Sequence, residues 1–142
     1  MINTFPEYHC DVSKIDFLIE SIVELDRNNY PIIEPDGTKI WRNKIGQVHR
    51  DDGPAIIYPD GSKTYYQDGK RHRLNGPARI WEDGRLEYWV NGERHRLDGP
   101  AVIYPDGGVE YYKNDEYHRE DGPAVIYPDG TEEYWVDGDF VK

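Results

Sequence analysis

Cysteine occurs once, as Cys10, in a chain of 142 residues. That excludes an internal disulfide framework and fits a reducing compartment. Long apolar runs are missing too: no stretch approaches the roughly 18 to 20 residues of a membrane span. The first residues, MINTFPEYHCDVSK, lack a basic region followed by an apolar one, so no secretory signal is expected. With 37% hydrophobic residues and a mean hydropathy of -0.90, a thick two-layer core is not expected either. Positive charge is in short supply, and the net charge is -11. Direct binding of duplex nucleic acid is therefore not expected, because neutralising phosphates needs clustered cations. These shortages point to a cytoplasmic chain forming one domain or one short array.

What the chain does have is a register. His49, His72, His95 and His118 recur every 23 residues, within HRDDGPA, HRLNGPA, HRLDGPA and HREDGPA. Such a period marks a repeat array, in which each residue is one rung of a ladder before it is anything else. The clearest unit is GPARIWEDGRLEYWVN, from Gly76 to Asn91. It reads as a β-type run Ala78–Trp81, a turn Glu82-Asp83-Gly84, a second run Leu86–Val90 and a second turn Asn91-Gly92. The first turn recurs as Tyr-Pro-Asp-Gly at Tyr58, Tyr104 and Tyr127, where Pro presets φ and Gly supplies φ > 0, giving a three-residue hairpin loop with a bulge. The second recurs as Asp68-Gly69 and Asp137-Gly138, but as Asn114-Asp115 in the third unit, where the missing glycine predicts a strained or longer turn. A degenerate unit, Glu34 to Trp41, precedes these with one residue inserted near Asn43 to Ile45. Two strands per unit and a reversal at every turn predict an elongated, single-layer antiparallel meander over 31–142, mainly β.

The first 30 residues do not repeat. Ile15, Leu18, Ile19, Ile22 and Leu25 keep helical spacing. Ser13 and Asp16 fit a capping box. The spacing predicts an N-terminal α-helical cap over 1–30 that covers the open edge of the first hairpin.

Aromatic residues make up 13% of the chain, with 12 Tyr and 4 Trp. They fall into columns: Tyr58, Trp81, Tyr104 and Tyr127; Tyr65, Tyr88, Tyr111 and Tyr134; Tyr66, Trp89, Tyr112 and Trp135. The last two columns are sequence neighbours, so they point to opposite faces. An aliphatic column, Ile57, Ile80, Ile103 and Ile126, runs beside them.

The period and the pattern Tyr88-Trp-Val-Asn-Gly-Glu-Arg-His95 resemble the MORN repeat family, in a variant branch that carries His-Arg-x-Asp-Gly-Pro-Ala. The resemblance runs from Pro35 to the end of the sequence given. It implies elongated β-hairpin arrays that bind proteins, dimerise or meet lipid headgroups. No catalytic residue carries over, since the family shares none. Arrays of this variant are similar to proteins of phages, large viruses and small bacterial antitoxins, which implies a role in virus–host conflict.

The His ladder invites a metal, but successive units lie two strand spacings apart, roughly 9 to 10 Å, whereas zinc needs ligands at about 2.0 to 2.1 Å. A structural role is expected instead, with Arg96 pairing to Asp98 and His95 bonding a backbone carbonyl. Cys10 beside His9 makes a poor thiolate site on a loose terminus, and Glu132 and Glu133 would face opposite sides of a strand, a poor acid–base pair. No catalytic, metal or cofactor site is expected. Tyr and Trp with Arg are the residues of protein hot spots. The candidate partner-binding set is thus Tyr66, Trp89, Tyr112, Trp135, Tyr58, Trp81, Tyr104 and Tyr127 with Arg73, Arg79 and Arg96. The Tyr66 row is expected to be more exposed than the Tyr65 row. A second candidate is an acidic edge of Asp129, Glu132, Glu133, Asp137 and Asp139, since residues 114–142 carry nine acidic and two basic groups. The last strand is open to docking or homodimerisation. The function expected is binding, and inhibition, of a protein partner by a chain that is not an enzyme. The alternative is a viral counter-defence protein acting as a nucleic-acid mimic through its acidic end, or as a nucleotide sponge whose rings stack a base.

Overall fold

The computed structural model describes residues 30–142. The helical cap expected within 1–30 lies outside the described residues. What is described is an antiparallel meander of hairpins, mainly β, without a helix among the described residues. The expected two strands per unit are in fact four strands of two residues each. In the clearest unit they are Arg79–Ile80, Leu86–Glu87, Trp89–Val90 and Glu93–Arg94. The run from Leu86 to Val90 breaks at Tyr88. Its first half pairs Arg79↔Glu87 and Ile80↔Leu86; its second half pairs Trp89↔Arg94 and Val90↔Glu93. The first-hairpin strands of all units join into one ten-stranded sheet, while the second hairpins form four separate two-stranded ladders beside it.

The break has a physical cause. The Tyr88 amide donates across to the Ala101 carbonyl at 2.7 Å, and the Tyr88 carbonyl accepts from the His95 amide at 3.1 Å. The residue is thereby shared between the large sheet and the small ladder. Tyr65 and Tyr111 make the same pair of bonds, to Ala78 and Ala124 and from His72 and His118.

Both kinds of turn follow their residues. In the first turns the Asp carboxylate accepts from the amide two residues on, as in Asp60 with Ser62 at 2.8 Å, and Gly61 sits at φ 93°. The second turns have two residues, both at positive φ. Asn114 and Asp115 obey the same rule at 52° and 68°, so the third turn is not longer. Asp115 accepts from the Arg94 guanidinium at 2.6 Å, a bond that glycine at this position could not make. The inserted residue is where the spacing placed it. The degenerate unit closes through a four-residue turn, with the Gly46 amide donating to the Asn43 carbonyl at 2.9 Å, across the Arg42↔Val48 bridge.

The His-Arg-x-Asp-Gly-Pro-Ala loop reads residue by residue. Each histidine accepts at Nδ1, and His49 also donates from Nε2 to Asp51 at 3.1 Å. Nδ1 of His49, His72, His95 and His118 takes the amide of Asp68, Asn91, Asn114 and Asp137 at 3.0 to 3.2 Å. The expected bond from His95 to a carbonyl is thus replaced by one from the next unit's turn amide, which would otherwise lack an acceptor. Each arginine folds back over a ring. Cζ of Arg50, Arg73, Arg96 and Arg119 lies 4.1, 3.9, 4.0 and 4.2 Å from the centroids of Trp41, Tyr65, Tyr88 and Tyr111. Arg96 also donates to Asp98 at 2.8 Å, as expected, and to the Pro100 carbonyl at 3.3 Å. The glycine makes room for this. A Cβ on Gly122 would lie 2.9 Å from Cζ of Arg119, and one on Gly99 would lie 3.0 Å from that of Arg96. Ala55, Ala78, Ala101 and Ala124 are fully buried, leaving no volume for a larger side chain.

Gly122→Ala should cost about 1 to 2 kcal/mol by prising Arg119 from Tyr111. In an Arg119→Ala background the same change should cost nothing, because no guanidinium remains to be displaced. Denaturant unfolding of the four proteins measures this; equal costs in both backgrounds would assign the glycine to the backbone instead.

Candidate functional site

Strand alternation and side-chain contacts sort the candidate residues onto two faces. The Tyr65 column belongs to the clamps just described. The Tyr58 and Tyr66 columns share the opposite face, and five of their rings are tied there by carboxylates whose role the sequence reading missed. Glu87, only 4% exposed, accepts from Trp81 Nε1 with one oxygen and from Trp89 Nε1 with the other, both at 2.9 Å. Glu133 does the same for the Tyr127 hydroxyl and Trp135 Nε1, again at 2.9 Å. Glu110 takes the Tyr104 hydroxyl at 3.1 Å. The signal was present in the sequence: Thr64, Glu87, Glu110 and Glu133 stand two residues before each ring of the Tyr66 column, hence on the same face.

The residue opposite each ring in the small ladder was also missed. The pairs are Tyr66↔Arg71, Trp89↔Arg94, Tyr112↔Tyr117 and Trp135↔Phe140. They divide the face in two. Toward the N-terminal side it alternates cations and rings. Arg79 Cζ lies 3.5 Å over Trp81, Arg85 4.8 Å over Tyr104, Arg71 4.8 Å over Trp89 and Arg94 4.2 Å over Tyr112. Toward the C-terminal side it is apolar. Tyr112, Tyr117, Trp135 and Phe140 form a chain of rings with centroids 4.5, 5.5 and 5.1 Å apart. This chain buries Tyr112 to 5% exposure. The expectation that the Tyr66 row is the more exposed therefore fails at Tyr112, because Tyr117 stacks on it as well as Arg94. Burial first, then the Glu110 charge, pushes the Tyr104 hydroxyl above its ordinary value of 10.0. Burial likewise leads the rise at Tyr112, whose hydroxyl accepts from the Arg94 guanidinium at 2.8 Å.

Of the three candidate arginines, only Arg79 belongs to this face. Arg73 and Arg96 are spent on Tyr65 and Tyr88 on the other. They line open grooves between neighbouring loops, the largest about 640 Å³ and lined by Arg96, Leu97, Tyr111, His118 and Arg119. Leu74 and Leu97 stand 75% and 81% exposed at these loops. The acidic edge does not form one patch either. Glu132 accepts from the Tyr134 hydroxyl on one face while Glu133 serves the rings of the other. Asp129 and Asp137 sit in turns of different hairpins, where Asp137 meets His118 Nδ1 at 2.9 Å. Asp139 is exposed in the last ladder. Among the described residues no three His, Cys, Asp or Glu side chains gather as metal ligands, and no helix is long and apolar enough to cross a membrane.

No family model matches the chain, and no curated protein matches it.

Two outcomes follow from the charges. The Arg96 guanidinium, by hydrogen bond first and charge second, holds the Asp98 carboxyl below its ordinary 3.8, and Arg50 and Arg119 do the same for Asp52 and Asp121. A depressed folded-state value means the contribution is whole above 3.8 and is lost as pH falls through the lower folded value. Asp98→Asn should therefore lower the unfolding midpoint near pH 7 and shrink its drop toward about pH 2; an unchanged acid profile would remove Asp98 from the clamp. Glu87→Gln, which leaves Arg85 without an anion and one indole N–H without an acceptor, should cost about 2 kcal/mol or more. It should cost more than Glu133→Gln at the more open end, as read by denaturation and by near-ultraviolet dichroism of the tryptophans. Equal costs would mean that the buried carboxylate is not what ties Trp81 to Trp89.

Proposed function

We propose that this chain is a non-enzymatic, MORN-like repeat protein that binds a protein partner through its ring-lined face and thereby inhibits it. One observation carries the reading. Trp81, Trp89, Tyr104, Tyr127 and Trp135 are held on one face by carboxylates, with arginines between the rings at the N-terminal side and Tyr127 and Phe140 standing 42% and 59% exposed at the other. Rings held in place before the partner arrives lose little entropy on binding, and Trp, Tyr and Arg are the residues that dominate hot spots. The acidic total of -11 favours a partner with basic ground around its contact region.

The alternatives find less support. A nucleotide sponge needs a free ring face, but Arg79 already lies 3.5 Å over Trp81. A nucleic-acid mimic needs carboxylates in a row, and the five candidate acids are divided between two faces and two turns. A cytoplasmic setting, which rests on the single cysteine, and a place in virus–host conflict, which rests on the repeat motif, belong to the same proposal.

Partner capture from the native host, read by mass spectrometry, should fall at least about tenfold with Tyr66→Ala, Tyr127→Ala and Phe140→Ala combined. Leu97→Ala on the loop edge should leave it unchanged. The converse result, capture lost with Leu97 and kept without the rings, would move the binding face to the loop grooves.

A further inference from the structure

The ring face has one vacant place in its own pattern. In three units the position two residues before the ring is a carboxylate, Glu87, Glu110 or Glu133, and each bonds the rings or arginines around it. In the first full unit this position is Thr64. Thr64 is 1% exposed, and its hydroxyl oxygen has no hydrogen-bond partner among the described residues. The strand register sets Thr64 directly across from Arg79, and sets the neighbouring ring, Tyr66, across from Arg71.

Of the four arginines stacked on the rings of this face, these two have no acidic partner among the described residues. Arg85 meets Glu87 at 3.0 Å and Arg94 meets Asp115 at 2.6 Å. Arg71 and Arg79 make only ring contacts on their charged ends; their Nε atoms are buried and unbonded, as is that of Arg85, whose other nitrogen has Glu87 for a partner. A partly buried guanidinium is normally matched by an anion, because its lost hydration is otherwise uncompensated. The position that lacks the carboxylate is thus flanked by two cations without a counter-charge, Arg71 in its own unit and Arg79 at the start of the next, where Arg79 also stands opposite the already committed Glu87.

We propose that an acidic segment of the protein partner supplies the missing carboxylate, docking a Glu or Asp side chain between Arg71 and Arg79. This rests on the protein-binding reading above and specifies the partner's chemistry. A carboxylate is favoured over a phosphate because carboxylates fill the equivalent position in all three later units. Charge-assisted bonds to a planar guanidinium fork suit that group.

The test titrates the full chain with hexaglutamate, hexaglutamine and inorganic phosphate at fixed ionic strength, following tryptophan fluorescence and calorimetric heat. Hexaglutamate should bind, and hexaglutamine should not. Arg71→Gln with Arg79→Gln should weaken hexaglutamate binding at least about tenfold, while Lys63→Gln on the opposite face leaves it unchanged. Thr64→Glu is the sharper variant. It places the carboxylate within the chain itself, so it should raise the denaturation midpoint and abolish peptide binding together. Hexaglutamate binding that survives Thr64→Glu, or no binding by the wild-type chain, overturns the proposal. Phosphate binding without hexaglutamate binding overturns it as well and reassigns the arginines to a phosphate. In each of these cases, partner capture that still depends on Tyr66, Tyr127 and Phe140 leaves the protein-binding reading standing. Capture indifferent to those rings removes that reading, whatever the peptide does.

Discussion

One packed stack holds the repeats in phase: a glycine, a guanidinium and an aromatic ring, in that order. In each loop the arginine lies about 4 Å from its ring, spans back to the proline carbonyl four residues on, and presses against the glycine that precedes that proline. The ring it covers is the residue shared between the large sheet and the small ladder, so the clamp fixes the break where the strand changes sheets. With little apolar residue to bury, the array substitutes cation–π and charge-assisted contacts for a thick core. The same stack explains why the loop motif is longer than a turn requires. Histidine, arginine, the acid, glycine, proline and alanine each answer to a different neighbour.

Much of this was legible in sequence, and the parts that were not share one cause. The register, both turn types, the Arg96–Asp98 pair and the insertion between Asn43 and Ile45 are local features, set by residues within a few positions of one another. The break at Tyr88 is not local. Leu86 to Val90 is an unbroken run of strand formers, and it divides only because Ala101 of the next unit takes one of its amides. The histidine's role was misjudged for the same reason, since its partner lies 19 residues away. Arg73 and Arg96 were assigned to the ring face by proximity in sequence; they follow the small ladder, where alternation no longer predicts the side. Net charge is a sum without direction, so counting acids toward the C-terminus could not reveal that Glu132 and Glu133 serve different faces.

The site shows how such an array can change its chemistry while keeping its frame. Three of the positions that vary between units on the ring face set its chemistry around the Tyr66 column. One holds Ile56, Arg79, Val102 or Val125; one holds Thr64, Glu87, Glu110 or Glu133; one holds Arg71, Arg94, Tyr117 or Phe140. Cross-strand pairing places the first two side by side and sets the third opposite the ring. Where the third is arginine the ring meets a cation, and where it is Tyr or Phe the rings close on one another and bury Tyr112. The gradient from a cationic to an apolar surface therefore arises from single substitutions at fixed points.

That modularity also locates where the frame is least self-sufficient. Glu87 has two indoles and an arginine around it, so its burial is compensated within its own unit. Arg79 stands between that unit and the one before, opposite both Glu87 and Thr64. Glu87 is already committed to Arg85 and the two tryptophans, and Thr64 carries no charge. A repeat that satisfied every position from within would leave nothing for a partner to complete, and its binding would rest on exposed rings alone. A repeat with one carboxylate removed keeps its fold, because the clamps lie on the other face, yet presents ordered cations beside ordered rings. The independence of the two faces is what allows one of them to be left incomplete.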